Sequence, residues 1–125
     1  NTLFTHDPEQ PLPPYLRHRD HVATGRATLD AVYPLARDPL AFPEQRGQGL
    51  MPHKVREVWL FASAAADRAV DIGKTLDQKI AARLEHESQT PDREALIASW
   101  RKRAFQVGAP FNLTAAEAFT VLRTD

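Results

Sequence analysis

Ten prolines in 125 residues divide this chain before any other feature acts on it. Proline lacks an amide donor and holds φ near about −65°, so it is excluded from helix interiors and from central strands. Pro8, Pro11, Pro13 and Pro14 crowd one short stretch and force an extended, helix-free loop there. The segment from Asp38 to Pro52 carries three more, with two glycines, and reads as a surface loop. Pro34 kinks or shortens whatever helix reaches it, Pro91 suits the first turn of another, and Gly108-Ala109-Pro110 ends that one. Regular structure is confined to the stretches between.

Those stretches carry clear periodicities. Thr2 to Thr5 is a short strand-like run. A helix is predicted from Asp20, whose carboxylate can cap the free amides, with Val22, Gly25, Leu29, Val32, Tyr33 and Ala36 at helical spacing. Val55 to Ala62 is the clearest strand, apolar enough to be buried on both faces over Val58 to Phe61. Val70-Asp71-Ile72 is a second short extended piece. A helix follows from about Thr75 to Glu87, with Leu76, Ile80 and Leu84 on one face. Another begins with Thr90 as cap and buries Leu96, Ile97, Trp100 and Ala104. Ala115 to Leu122 reads as a short helix turning into a strand. Strands and helices intermix, so the class is α/β, with too little sheet to stand alone.

Composition removes several functions. The 16 basic and 16 acidic residues cancel, leaving no electrostatic footprint for nucleic acid. No cysteine is present, which excludes disulfides, thiolate nucleophiles and cysteine-based metal sites, and fits a reducing cytoplasm. No apolar run is long enough to span a bilayer.

Chemistry concentrates in His18-Arg19-Asp20-His21, at the head of the first helix. Two imidazoles three residues apart share one side of a helical turn, with a carboxylate between them. Neutral imidazole is the commonest protein metal ligand, and a ligating histidine is usually supported by a carboxylate or carbonyl. The same pattern also suits a solvated helix start or a capping cluster. A kinase catalytic loop shares His-Arg-Asp, but no asparagine follows at the required spacing and no Asp-Phe-Gly lies downstream. The other histidines read more plainly. His6 is structural or exposed, His53 is incidental, and His86 with Ser88 and Gln89 suits the end of a helix. Arg101-Lys102-Arg103 is a solvated helix face, and Trp59 and Trp100 belong to the core.

The run His18 to Arg26 (His-Arg-Asp-His-Val-Ala-Thr-Gly-Arg) resembles the third motif of the PIG-L-like (LmbE-like) zinc-dependent N-deacetylases, commonly His-Pro-Asp-His before a small-residue helix. The likeness continues in order. Tyr33 to Pro43 resembles the family's next helix and loop, and Gly49 to Phe61 its Pro-x-x-Val-x-Glu-Val strand. Asp71-Ile72, Lys79 and His86-Glu87-Ser88-Gln89 resemble its Asp-Ile…Lys…His-x-Ser-Gln stretch, and Ala116-Glu117-Ala118-Phe119 its Ala-Glu-Ala-Phe.

The resemblance implies a Rossmann-like three-layer α/β/α fold and a Zn²⁺ cofactor. It implies removal of the acetyl group from a small N-acetylglucosamine-like sugar conjugate. His21 aligns with the zinc-ligating histidine of the motif, His18 with the histidine facing the substrate carbonyl, and Asp20 with the carboxylate supporting that histidine. Arg19 stands in place of the usual proline. Leu16 occupies the place where some members carry a tyrosine, with Tyr15 one residue earlier. The His-Pro-Asp-Asp-Glu motif that supplies the family's other zinc ligands and its general base has no counterpart, since His6-Asp7-Pro8 has the wrong order. Residues 1–125 are therefore expected to be the C-terminal portion of a single deacetylase-like domain, with no second domain. Such a chain is expected to pair with the N-terminal half or to form a homo-oligomer. The rival expectation is a non-catalytic sugar-binding or assembly module that has kept the fold without the metal.

Overall fold

Alternation of side chains starts the fold at the N-terminus. In the computed structural model, which describes residues 1–9 and 18–124, Thr2–His6 forms strand β1. It pairs in parallel with β2, Glu57–Phe61, in the register Leu3↔Val58, Phe4↔Trp59, Thr5↔Leu60 and His6↔Phe61. Leu3, Thr5, Val58 and Leu60 thus share one face of the pair, and Phe4, His6, Trp59 and Phe61 share the other. Strand β4, Ala116–Arg123, runs antiparallel to β2, and β3, Arg68–Asp71, completes the order β1-β2-β4-β3. The fold class is α/β, as the intermixed periodicities indicate.

The chain forms two compact units, Asn1–Asp67 with Phe119–Asp125, and Arg68–Ala118. In the first, helix α1, Arg19–Asp30, is followed by a wide turn over Ala31–Leu35 that breaks at Tyr33 (φ −153°, ψ 125°) beside Pro34. Val32, Val55, Val58 and Leu60 form its buried core, with Leu3 and Leu29 packed against them. On the opposite face of the sheet, Phe4, Trp59 and Phe119 meet with ring centroids 5.3–5.7 Å apart. In the second unit, α3, Leu76–Leu84, and α4, Arg93–Gly108, bury Ile72, Leu76, Ile80, Ala104 and Ala115, with Leu84, Ile97 and Trp100 packed alongside. These are nearly all apolar positions that helical spacing selects.

Several expectations need correction. Helix α1 begins at Arg19, with His18 as its N-cap and no side-chain capping bond, so Asp20 sits inside the first turn. There its carboxylate suits the positive end of the helix dipole instead. The cap of α4 is Asp92, which accepts a hydrogen bond from the Ala95 amide at 2.9 Å, rather than Thr90. Strand β2 is shorter than Val55 to Ala62, ending where Ala62 turns to φ 60°. Its burial alternates rather than covering both faces, with Val58 and Leu60 buried but Trp59 and Phe61 half-buried. The Asp38–Pro52 loop contains a short helix, α2, Pro43–Gly47, with Pro43 at its first position. Ala116–Arg123 is strand throughout, preceded by a 3₁₀ turn at Ala109–Phe111. The loop expected over Pro11, Pro13 and Pro14, like Tyr15 and Leu16, lies outside the described residues.

Candidate functional site

The carboxyl end of β1 and the start of α1 meet at the histidines. In open α/β sheets the carboxyl ends of parallel strands are the usual place for a ligand. The Asp7 amide continues the β1–β2 pairing for one bond beyond the strand, donating to the Phe61 carbonyl at 3.0 Å. Asp7 is buried and its Oδ1 accepts from the Glu9 amide at 2.8 Å, a local turn that bends the chain away. Helix α1 packs against this strand end because Gly25 has no side chain. A Cβ at Gly25 would lie 2.5 Å from the His6 carbonyl oxygen and 3.1 Å from Pro8 Cδ. A second tie comes from Thr5 Oγ1, which donates to Thr28 Oγ1 at 3.2 Å.

One turn before Gly25, this close approach sets His21 beside His6. Their rings stack with centroids 3.9 Å apart and planes within 9°. His18 covers the other face of His21 at 4.5 Å and 25°. Phe61 also meets His6, with centroids 4.3 Å apart and planes at 62°. Three imidazoles therefore form one stack, ordered His6, His21, His18. His18 Nδ1 lies 3.8 Å from Asp20 Oδ2, and both side chains are largely exposed.

Two of these rings were singled out by the sequence, and His6 was not. Strand alternation alone places His6 on a sheet face. Its approach to α1 depends on the parallel pairing and on Gly25, which no local pattern announces. Burial, followed by the nearby His21 and His18, holds the His6 imidazole below its ordinary pKa of 6.5, favouring the neutral ring. Its Nδ1 is buried with no hydrogen-bond partner among the described residues.

The stack limits the chemistry available to it. Imidazole lone pairs lie in the ring plane, so three nearly parallel rings do not point their nitrogens at a common centre. Accordingly, no group of three or more His, Cys, Asp or Glu side chains among the described residues could hold a metal ion. Zinc accepts imidazole nitrogen, so His21 fits as one ligand by its chemistry; the other coordination positions require donors beyond this cluster.

The remaining candidates behave as side chains of the surface or core. Asn1 Nδ2 lies 3.0 Å from Nε2 of the exposed His53. In the second unit, exposed His86 precedes a 3₁₀ turn at Glu87–Gln89, and its carbonyl accepts from Thr90 Oγ1 at 3.1 Å. Arg101 pairs with Asp77 at 2.8 Å on an exposed helix face. Trp59 and Trp100 are half-buried in their aromatic and apolar clusters. None of the described helices is long and apolar enough to cross a membrane.

Among solved structures, the chain is similar to an N,N'-diacetylchitobiose deacetylase from Pyrococcus horikoshii complexed with its inhibitor MPG. The two share 26% sequence identity and superpose with a TM-score of 0.84 over 98% of this chain. That alignment covers 45% of the deacetylase, so the chain spans less than half the length of its structural neighbour. The α/β fold is thus of the LmbE-like deacetylase type. No family model and no curated protein matches the chain.

Proposed function

We propose that this chain is the C-terminal portion of a zinc-dependent N-deacetylase acting on an N-acetylglucosamine-like sugar conjugate and releasing a free amine and acetate. The observation that carries the reading is the similarity of 98% of the chain to a diacetylchitobiose deacetylase. Adding weight, His18, Asp20 and His21 lie together at the carboxyl end of a parallel strand.

In this reading, His21 is one ligand of the metal, which when bound supplies Lewis-acid chemistry at the amide carbonyl. The chain's own contribution is the pair beside it. Asp20 faces Nδ1 of His18 and steadies the ring, leaving Nε2 to donate to the carbonyl oxygen as negative charge develops there. The same nitrogen can pass its proton to the departing amine. His18 suits that work by its exposure, since substrate must reach it.

The rival reading is a sugar-binding or assembly module that has kept the fold without the metal. A single assay separates the two. The full-length protein that this reading requires, purified and supplied with zinc, is incubated with N,N'-diacetylchitobiose, other N-acetylglucosamine conjugates and simple acetamides. Release of acetate from the sugars in preference to the acetamides, abolished by a chelator, is expected. Binding of the sugars with no acetate released, with or without zinc, would instead favour the module.

A further inference from the structure

We propose that His6 is a positioning residue of this site: its imidazole, laid flat on His21, fixes the plane in which His21 presents its nitrogens. The inference rests on the reading of His21 as a metal ligand. It adds a residue that the His-x-Asp-His pattern does not contain.

The geometry carries it. His21 stands in the first turn of α1, where a side chain on one helix has several rotamers open to it. Two rings stack on it, His6 and the exposed His18. Of the two, His6 is the one anchored in the sheet. It is the last residue of β1, paired with Phe61 in the sheet, and the Phe61 ring also meets it. Its backbone carbonyl is pressed against α1 at Gly25, one turn beyond His21. A plane fixed by the sheet is thereby transmitted to a side chain on the helix.

The nitrogen chemistry of His6 points the same way. Its buried Nδ1 has no hydrogen-bond partner among the described residues. What His6 offers is a flat face at van der Waals distance and nearly parallel to the His21 ring. Ligating histidines are commonly oriented by a hydrogen bond to the second ring nitrogen. Here a stacked ring does the orienting. A phenylalanine at position 6 should therefore do nearly as well, and an alanine should not.

The test compares wild type, His6→Phe and His6→Ala in the full-length protein that the proposed function requires, each checked for a cooperative unfolding transition. Two readouts are taken. One is the His21 imidazole NMR signals in zinc-free protein at about pH 8, above the ordinary histidine pKa. The other is zinc affinity by competition with a chromophoric chelator. In His6→Ala the His21 signals lose the part of their ring-current displacement that His6 supplies, and zinc affinity falls about 10–100-fold, the range seen when ligand-orienting groups are removed. In His6→Phe the His21 signals stay displaced by the stacked ring and zinc affinity stays close to wild type. Should His6→Ala unfold, His6→Leu fills the space without a flat face and is held to the same expectations. A folded His6→Ala with unmoved His21 signals and undiminished zinc affinity overturns the proposal, as does a His6→Phe that loses zinc equally. If wild type binds no zinc at all, the deacetylase reading fails. The ring signals then decide the positioning role alone, displaced signals supporting it and unmoved ones overturning it.

Discussion

At Gly25 two residue-scale effects oppose each other, and their sizes decide a testable outcome. Replacing a helical glycine by alanine normally stabilises by about 1 kcal/mol, because glycine loses more backbone entropy on folding. Here the new methyl would sit 2.5 Å from a carbonyl oxygen of β1, where backbone rather than a flexible side chain must give way. Such overpacking costs about 1–3 kcal/mol, so we expect Gly25→Ala to destabilise the protein on balance. A lowered urea midpoint in Gly25→Ala checks this, and a raised one would mean that α1 does not press on the strand end. The same residue explains what the sequence reveals of the site and what it conceals. His18 and His21 announce themselves because their spacing along one helical turn is local. His6 lies on another element, and its partnership with His21 arises only from the parallel register of β1 with β2 and the missing Cβ at Gly25.

Helices α3 and α4 show how far apolar periodicity determines an element and where it stops. Leu76, Ile80, Ile97, Trp100 and Ala104 face one core, as their spacing requires. The start of α4 is less legible, since Thr90, Pro91 and Asp92 all suit a helix start and only the geometry selects Asp92. Asp92→Ala should cost about 0.5–2 kcal/mol, measured by urea unfolding, while Thr90→Ala should leave the α4 cap intact. Strand β4 is the clearest case of tertiary context overriding local preference. Ala116-Glu117-Ala118 favours a helix, yet Phe119 to Arg123 pairs residue by residue with Phe61 to Glu57 and the strand extends back to Ala116. Short α2 stays hidden among prolines that read as loop.

The second unit also makes a pH-dependent prediction. Lys79 pairs with Glu117 and lies 5.4 Å from the Trp100 ring centroid. Burial first, and Arg103 second, hold its ammonium below the ordinary pKa of 10.5, while the adjacent carboxylate works against that shift. Between the lowered folded value and 10.5 the unfolded chain binds more protons than the native one, so stability rises with pH across that window. At neutral pH both states are protonated and the native state bears the whole cost. Relative to Lys79→Met, the wild type should gain stability on titration towards 10.5, read from paired urea midpoints. A flat difference would contradict this.

For the whole molecule, the sheet brings a strand end, a helix start and three histidines to one place, within a fold shared with a deacetylase whose chain is more than twice as long. Intermixed strand and helix periods made the α/β class legible, and the ordered His-x-Asp-His and Ala-Glu-Ala-Phe stretches pointed to the deacetylase type. The division into two compact units was not legible, because β4 crosses from one to the other without any break in composition. The proposed function depends on His21 binding metal and on His18 leaving the metal alone to face substrate. The direct test is bound zinc in the full-length protein that the proposed function requires, measured by atomic emission after gel filtration of wild type, His21→Ala and His18→Ala in the presence of zinc. We expect about one zinc per protomer in wild type and in His18→Ala, and a large loss in His21→Ala. Equal zinc in all three, or zinc lost only with His18, would contradict the assignment of His21 as the ligand.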